Sequence, residues 1–149
     1  MIGSLLLLTA CAGTPEFSTE GVNLDLNPST AADQLGQQVI WGGTIIDIRN
    51  LADKTRIEVL SYPLTKAHRP LVKGSAQGRF IVEKAGYLEA KQFRPGSIIT
   101  VSGSLQSPQS GRIGDAEYVY PVVQAGQLKL WKERGASRVH FGIGIGISN

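Results

Sequence analysis

With one cysteine in 149 residues, an intramolecular disulfide is excluded and stability must come from a packed core. The apolar run Leu5 to Leu8 falls far short of the roughly 20 residues that a bilayer-spanning helix needs. Only two histidines are present, His68 and His140, with no HxxxH or CxxC spacing beside them, and a structural zinc site takes about four ligands. Both read as solvent-exposed residues, one in a loop and one in a strand. Ser102 and Ser110 lack a GxSxG elbow, so nothing assembles the nucleophile, base and orienting acid of a serine hydrolase. The net charge of +3 and pI near 9.2 arise from scattered Lys and Arg, with no run of five or six like charges to form a basic tail or stripe.

What the chain does have near its start is SLLLLTACAG, a short apolar core followed by small residues and the lone Cys11. A secretory signal has an apolar core of about 7 to 15 residues and a small-residue cleavage point, and Leu8-Thr9-Ala10-Cys11 resembles the bacterial lipoprotein box. Cleavage before Cys11 leaves 139 residues, the full 149 less the first ten, and places a nucleophilic sulfur where lipid can be attached. Met1-Ile2-Gly3 carries no Lys or Arg, which points to a start codon further upstream. The expected organisation is a signal peptide over residues 1–10, a lipidated Cys and tether over 11–27, and a single domain over 28–149. The only prosthetic group expected is the covalent diacylglycerol and N-acyl lipid on Cys11.

Residues 12–27 are mostly small and polar, with Val22, Leu24 and Leu26 alternating as though to join a sheet edge. Asn27 to Gly36 reads as one or two helical turns capped by Asn27 or Thr30. From Gln38 onward the pattern is β. VIWGGTIIDIRN is apolar on both parities, and Gly42-Gly43 suggests a bulge or a tight barrel bend. TRIEVLSYPL alternates, GRFIVEK supplies a third strand, Tyr87 to Phe93 a short helical turn, and SIITVSGSL a fourth strand with Ile99, Val101, Gly103 and Leu105 on one face. TKAHRPLVKGSAQG and QSPQSGRIGDAE read as polar loops. YVYPVVQAGQLKLW reads as a fifth strand and a sixth, broken at Ala125-Gly126, and RVHFGIGIGISN as a closing strand. The fold class expected is all-β: a small OB-like barrel of five to six strands with one or two short helices.

The candidate binding surface comes from aromatic and basic residues on or beside strands: Trp41, Arg49, Tyr62, Arg79, Tyr118 and Tyr120. OB-like barrels bind ligands with such residues on one face, although core packing is the preferred reading for most of the rings. Asp115 and Glu117 share a parity and could work as an acid/base pair; with Arg112 beside them, a charged turn that fixes the strand is the preferred reading. No metal site is expected.

The lipobox, GVNLDLNP, VIWGGTIIDIRN, TRIEVLSYPL, RPLVKGSAQGRF, FRPGSIITVSGSL and GRIGDAEYVYPVV, in that order and spacing, resemble the Slp family of outer-membrane lipoproteins of Gram-negative bacteria, from Leu8 to about Trp131. The resemblance implies a lipid-anchored protein of the outer membrane, linked to starvation or stationary phase and without an assigned catalytic activity. Ala12, where Asp would retain a lipoprotein in the inner membrane, allows sorting outward. The expected role is a non-enzymatic structural or interaction module at the periplasmic face. Its partners are the outer membrane through the anchor, and an envelope protein or a second copy through residues 139–149; nucleic acid is a poor partner for an exported protein. The alternative is a periplasmic lipoprotein that binds a small ligand or glycan.

Overall fold

The computed structural model describes residues 17–31 and 33–132. Five strands, β1 (Gln38–Asn50), β2 (Lys54–Tyr62), β3 (Arg79–Ala85), β4 (Ile98–Ile113) and β5 (Ala116–Trp131), close into a barrel in the order β1-β2-β3-β5-β4. All neighbours are antiparallel except β3 and β5, whose short parallel pairing, Ile81 to Val122 through Glu83 to Gln124, shuts the barrel. The expected all-β, OB-like barrel is the fold, with five strands in the described residues.

Closure depends on β1 serving two neighbours. Residues 38–44 pair with β4 and residues 42–50 with β2, so Gly42, Gly43 and Thr44 are shared by both. At Gly43 a side chain would collide with the Leu60 carbonyl, which is why the bend falls on a glycine pair. The bulge itself lies a few residues on, between Ile45 and Asp47. It also explains the two-sided apolar pattern: the extra residue reverses the alternation, so Ile48 packs on the same core as Val39, Trp41 and Ile45.

The interior is filled from every strand. Ile57 and Val59 of β2, Phe80 and Val82 of β3, Ile99, Val101 and Leu105 of β4 and Val123 of β5 are buried around Trp41, whose ring meets Phe80 edge-on at 5.2 Å. Each such side chain stabilises the fold by about 1.5–3 kcal/mol on full burial.

Several expectations are corrected. QSPQSGRIGDAE is a strand hairpin: β4 runs to Ile113, turns at Gly114-Asp115, and pairs back from Ile113↔Ala116 to Gln109↔Tyr120. Both faces of this arm are largely solvated, so its composition is that of a loop. The fifth and sixth strands are one strand, β5, whose register shifts opposite Ser102 and Gly103, leaving Gly126 as a bulged residue. The helical turns expected over Asn27 to Gly36 are separate four-residue turns, closed by the Thr30 N–H on the Asn27 carbonyl and the Gln34 N–H on the Ala31 carbonyl. Tyr87 to Phe93 does make one turn, with Phe93 N–H bonded to the Glu89 carbonyl and Leu88 and Phe93 packed on the core.

From Phe17 on, the segment read as a tether packs on the barrel, and the sheet-edge contact expected of its end forms at Val22. Phe17 is buried, Val22 bridges to Gln38, and the Trp41 indole N–H donates to the Leu26 carbonyl at 3.0 Å. Cys11, the signal-peptide residues and the expected closing strand with His140 and residues 139–149 lie outside the described residues.

Candidate functional site

The outward positions of β1, β2 and β3 carry charge because the inward ones carry Ile, Val and Phe. Alternation leaves Asp47 and Arg49 on β1, Lys54, Arg56 and Glu58 on β2, and Arg79 and Glu83 on β3 facing away from the core. In register, Asp47 stands opposite Glu58 and Arg49 opposite Arg56, so like charges face each other across the first two strands. That arrangement is destabilising unless each charge finds a partner elsewhere.

Each does. Arg56 reaches Glu83 through Nη2 at 2.7 Å and Nε at 3.2 Å, and Lys54 Nζ approaches the same carboxylate at 3.2 Å. Arg79 Nη1 lies 2.8 Å from Glu58 Oε2, and Arg49 Nε bonds Asp47 along its own strand at 3.1 Å. Burial by itself raises the Glu83 carboxyl, but the hydrogen bonds and charges of Arg56 and Lys54 outweigh it and hold the group below its ordinary value. Glu83 is therefore a fixed anion rather than a proton carrier.

The β4–β5 arm forms the opposite wall. Tyr118 and Tyr120 stack edge-on with centroids 4.8 Å apart, and the Tyr118 hydroxyl accepts the Arg79 N–H at 2.9 Å. Gly111 lets the Tyr120 ring lie against the backbone, since a Cβ there would come within 2.7 Å of it. The Tyr120 hydroxyl reaches Glu58 at 3.4 Å, and burial followed by the Glu58 charge pushes its phenol up. Between arm and barrel lies a cleft of about 260 Å³ that includes Arg49, Arg56, Glu58, Arg112 and Tyr120. The charged turn expected of Arg112 forms through the backbone: Arg112 Nη2 donates to the Asp115 carbonyl at 2.9 Å, and Glu117 stands across the hairpin from Arg112.

The six candidate residues thus divide. Arg49 and Tyr120 line the charged cleft, and Arg79 and Tyr118 adjoin it, Arg79 through its ion pair with Glu58 and Tyr118 through its ring contact with Tyr120. Trp41 and Tyr62 line a separate cleft of about 660 Å³, between the 17–27 segment and the 63–78 loop. Trp41, at 4% exposure, is core. Glu58 and Glu83, which organise the charged face with Arg56 and Arg79, were absent from the candidate list, though their outward parity in TRIEV and VEK marks them.

The largest correction concerns His68. Expected in solvent, it is buried, with its ring edge-on to Phe17 and its Nδ1 without a hydrogen-bond partner among the described residues. Burial lowers its pKa. Its carbonyl accepts the Thr100 hydroxyl at 2.6 Å, Thr100 in turn accepts the Trp131 indole N–H at 2.9 Å, and the Arg69 guanidinium lies over the Trp131 ring. The loop is thereby fastened to the outer side of the barrel.

Among the described residues no cluster of three or more His, Cys, Asp or Glu is placed to hold a metal, and no helix is long and apolar enough to cross a membrane.

The sequence profile of the Outer membrane lipoprotein Slp family matches residues 8–143. An uncharacterised protein of Haemophilus influenzae is 41% identical over 91 residues, which are 60% of this chain and 49% of that one, so the chain spans about half of that relative's length. The uncharacterised lipoprotein YeaY of Escherichia coli is 31% identical over 131 residues, 85% of this chain and 67% of the relative. The outer membrane protein Slp of the same organism is 27% identical over 134 residues, 86% and 71% of the two chains. Among solved structures, a small single-stranded DNA-binding protein from Streptomyces coelicolor is similar with a TM-score of 0.43 and 14% identity, covering 64% of this chain and 94% of that one.

Proposed function

The chain belongs to the Slp family of outer membrane lipoproteins, and from that premise we propose that it is a non-enzymatic, lipid-anchored module of the cell envelope. Cys11 carries diacylglycerol and an amide-linked chain, since one acyl chain holds a protein only marginally and two or more hold it firmly. The barrel is held at the periplasmic face of the outer membrane and presents its charged face to an envelope partner in starved or stationary-phase cells.

One observation carries this over the small-ligand alternative. Most of the rings a ligand would stack on are already used: Trp41 and Phe80 pack in the core and Tyr120 is buried against Tyr118 and Gly111, which leaves Tyr62 half-buried at the 660 Å³ cleft. The carboxylates beside them are bound by arginines, which suits recognition of a surface rather than proton transfer.

The test compares the native protein with Cys11→Ser in intact envelopes, by acyl labelling, membrane fractionation and cross-linking. The native chain should take label, fractionate with the outer membrane and cross-link to a defined envelope component, more so from stationary cells. An unlipidated Cys11→Ser that stays with the outer membrane, or a native chain that turns over a substrate, would overturn the proposal.

A further inference from the structure

We propose that one face of the barrel, made by the 63–78 loop and the adjoining 17–27 segment, rests on the phosphate-bearing surface of the bilayer. The inference builds on the reading of Cys11 as the acylated residue and adds the orientation in which the anchor holds the domain.

Reach comes first. Phe17 is buried and its ring is packed against His68, so the chain is fixed to the loop at that point. Six residue steps separate Cys11 from Phe17, which span at most about 22 Å however the intervening residues run. A lipid on Cys11 therefore keeps the Phe17–His68 contact within that distance of the membrane. The β1–β2 turn at Ala52 is remote from it: from Gly42, where Pro70 of the loop lies against β1, the strand runs on to Asn50, a further eight residues or roughly 26 Å of backbone.

The chemistry of the near face fits a headgroup surface. The 63–78 loop holds Lys66, Arg69 and Lys73 and no Asp or Glu. Lys66 and Lys73 are exposed, and Leu71 beside them is 48% exposed. Leu24, at 64% exposure, stands across the 660 Å³ cleft from Lys66, so segment and loop present one continuous surface. Glu20 and Asp25 are the acidic groups of the segment and are outnumbered locally by the loop cations. Exposed leucines that enter the interface between lysines that meet phosphates are what a surface-seated element requires. A protein partner would be recognised by the charge-alternating face on β1–β3, which is a different part of the barrel.

The experiment uses the full lipidated chain in vesicles of phosphatidylethanolamine and phosphatidylglycerol carrying a doxyl-labelled lipid. Cys11 is the sole native cysteine and is blocked when acylated, so a fluorophore goes to one introduced thiol, Leu71→Cys or Ala52→Cys. Quenching about threefold or more stronger at position 71 than at 52 is the expected result. Reversing Lys66 and Lys73 to Glu should lower quenching at 71 in these vesicles while the circular dichroism stays native. Equal quenching at the two positions, with mass spectrometry showing the lipid on Cys11, overturns the orientation and leaves the anchor standing. An unmodified Cys11 overturns both. A label at 71 that is shielded in envelope extract yet unquenched by lipid assigns the face to a protein and rejects the bilayer as its occupant.

Discussion

Phe17 meets His68 edge-on, with centroids 5.7 Å apart and planes inclined at 77°, and this contact fastens the 17–27 segment to a loop about fifty residues later. Neither residue belongs to a strand, yet both are buried. The pair makes the N-terminal segment and the 63–78 loop one unit, where the sequence reads as a tether and a polar loop.

The first prediction follows from the His68 ring. Its folded pKa lies below the ordinary 6.5 because burial disfavours the charged form. Above that value the ring is neutral in both folded and unfolded chains, with no effect on stability. As pH falls through 6.5 the unfolded chain takes up a proton that the folded one resists, so stability is lost with acidification. The urea midpoint should fall between pH 7.5 and pH 5. His68→Asn, which tolerates the positive φ of 65° at this position, should flatten that decline. A slope unchanged in the variant would assign it to another group.

Phe17→Ala removes a fully buried ring that lies outside the barrel. The expected cost is about 3–5 kcal/mol, as for a core phenylalanine, read from urea unfolding of the soluble domain. A loss below about 1 kcal/mol would mean that the segment contributes little to the fold.

The two acidic groups on the charged face should behave unequally. Glu83→Gln leaves Arg56 and Lys54 converging on a neutral amide, at a cost of about 1–2 kcal/mol. Asp47→Asn breaks a pair whose side chains are 75% and 51% exposed, and should change stability by less than about 0.5 kcal/mol. Because the Glu83 carboxyl is held below its ordinary 4.5, its stabilisation is present above that pH and is lost as pH falls through the lower folded value. Acid titration at pH 5 and pH 3 separates this loss from that of His68.

Gly43→Ala tests the shared stretch of β1. Its Cβ would meet the Leu60 carbonyl, which cannot move without parting β1 from β2. The variant should unfold at markedly lower temperature, whereas Gly114→Ala, in the open hairpin turn, should cost only the strain of its positive φ, about 1 kcal/mol. Equal melting temperatures for the two would contradict the bend.

Legibility along the chain tracks locality. Ile57 and Val59, Phe80 and Val82, and Ile99 and Val101 announce their inward face through alternation alone, because side chains two apart on a strand share a face whatever the strand pairs with. Gly42-Gly43 announced a bend for a similar reason. The β4–β5 arm escaped because it leaves the barrel: from Gln106 to Glu117 most of its residues face solvent, so that stretch has the composition of a loop. The division of Trp41 and Tyr62 from Arg49, Arg79, Tyr118 and Tyr120 escaped as well, since parity assigns a face within one strand but not between strands whose register bulges shift.

By itself, the sequence determined the β character, the inward face of most strands and the family, all of which rest on short-range pattern or ordered motifs. Only the tertiary structure decided the parallel β3–β5 closure, the pairing of Arg56 with Glu83 and of Glu58 with Arg79, and the burial of Phe17 on His68. Those contacts join residues far apart in the chain, where no local preference acts and the outcome depends on what the closed barrel brings together.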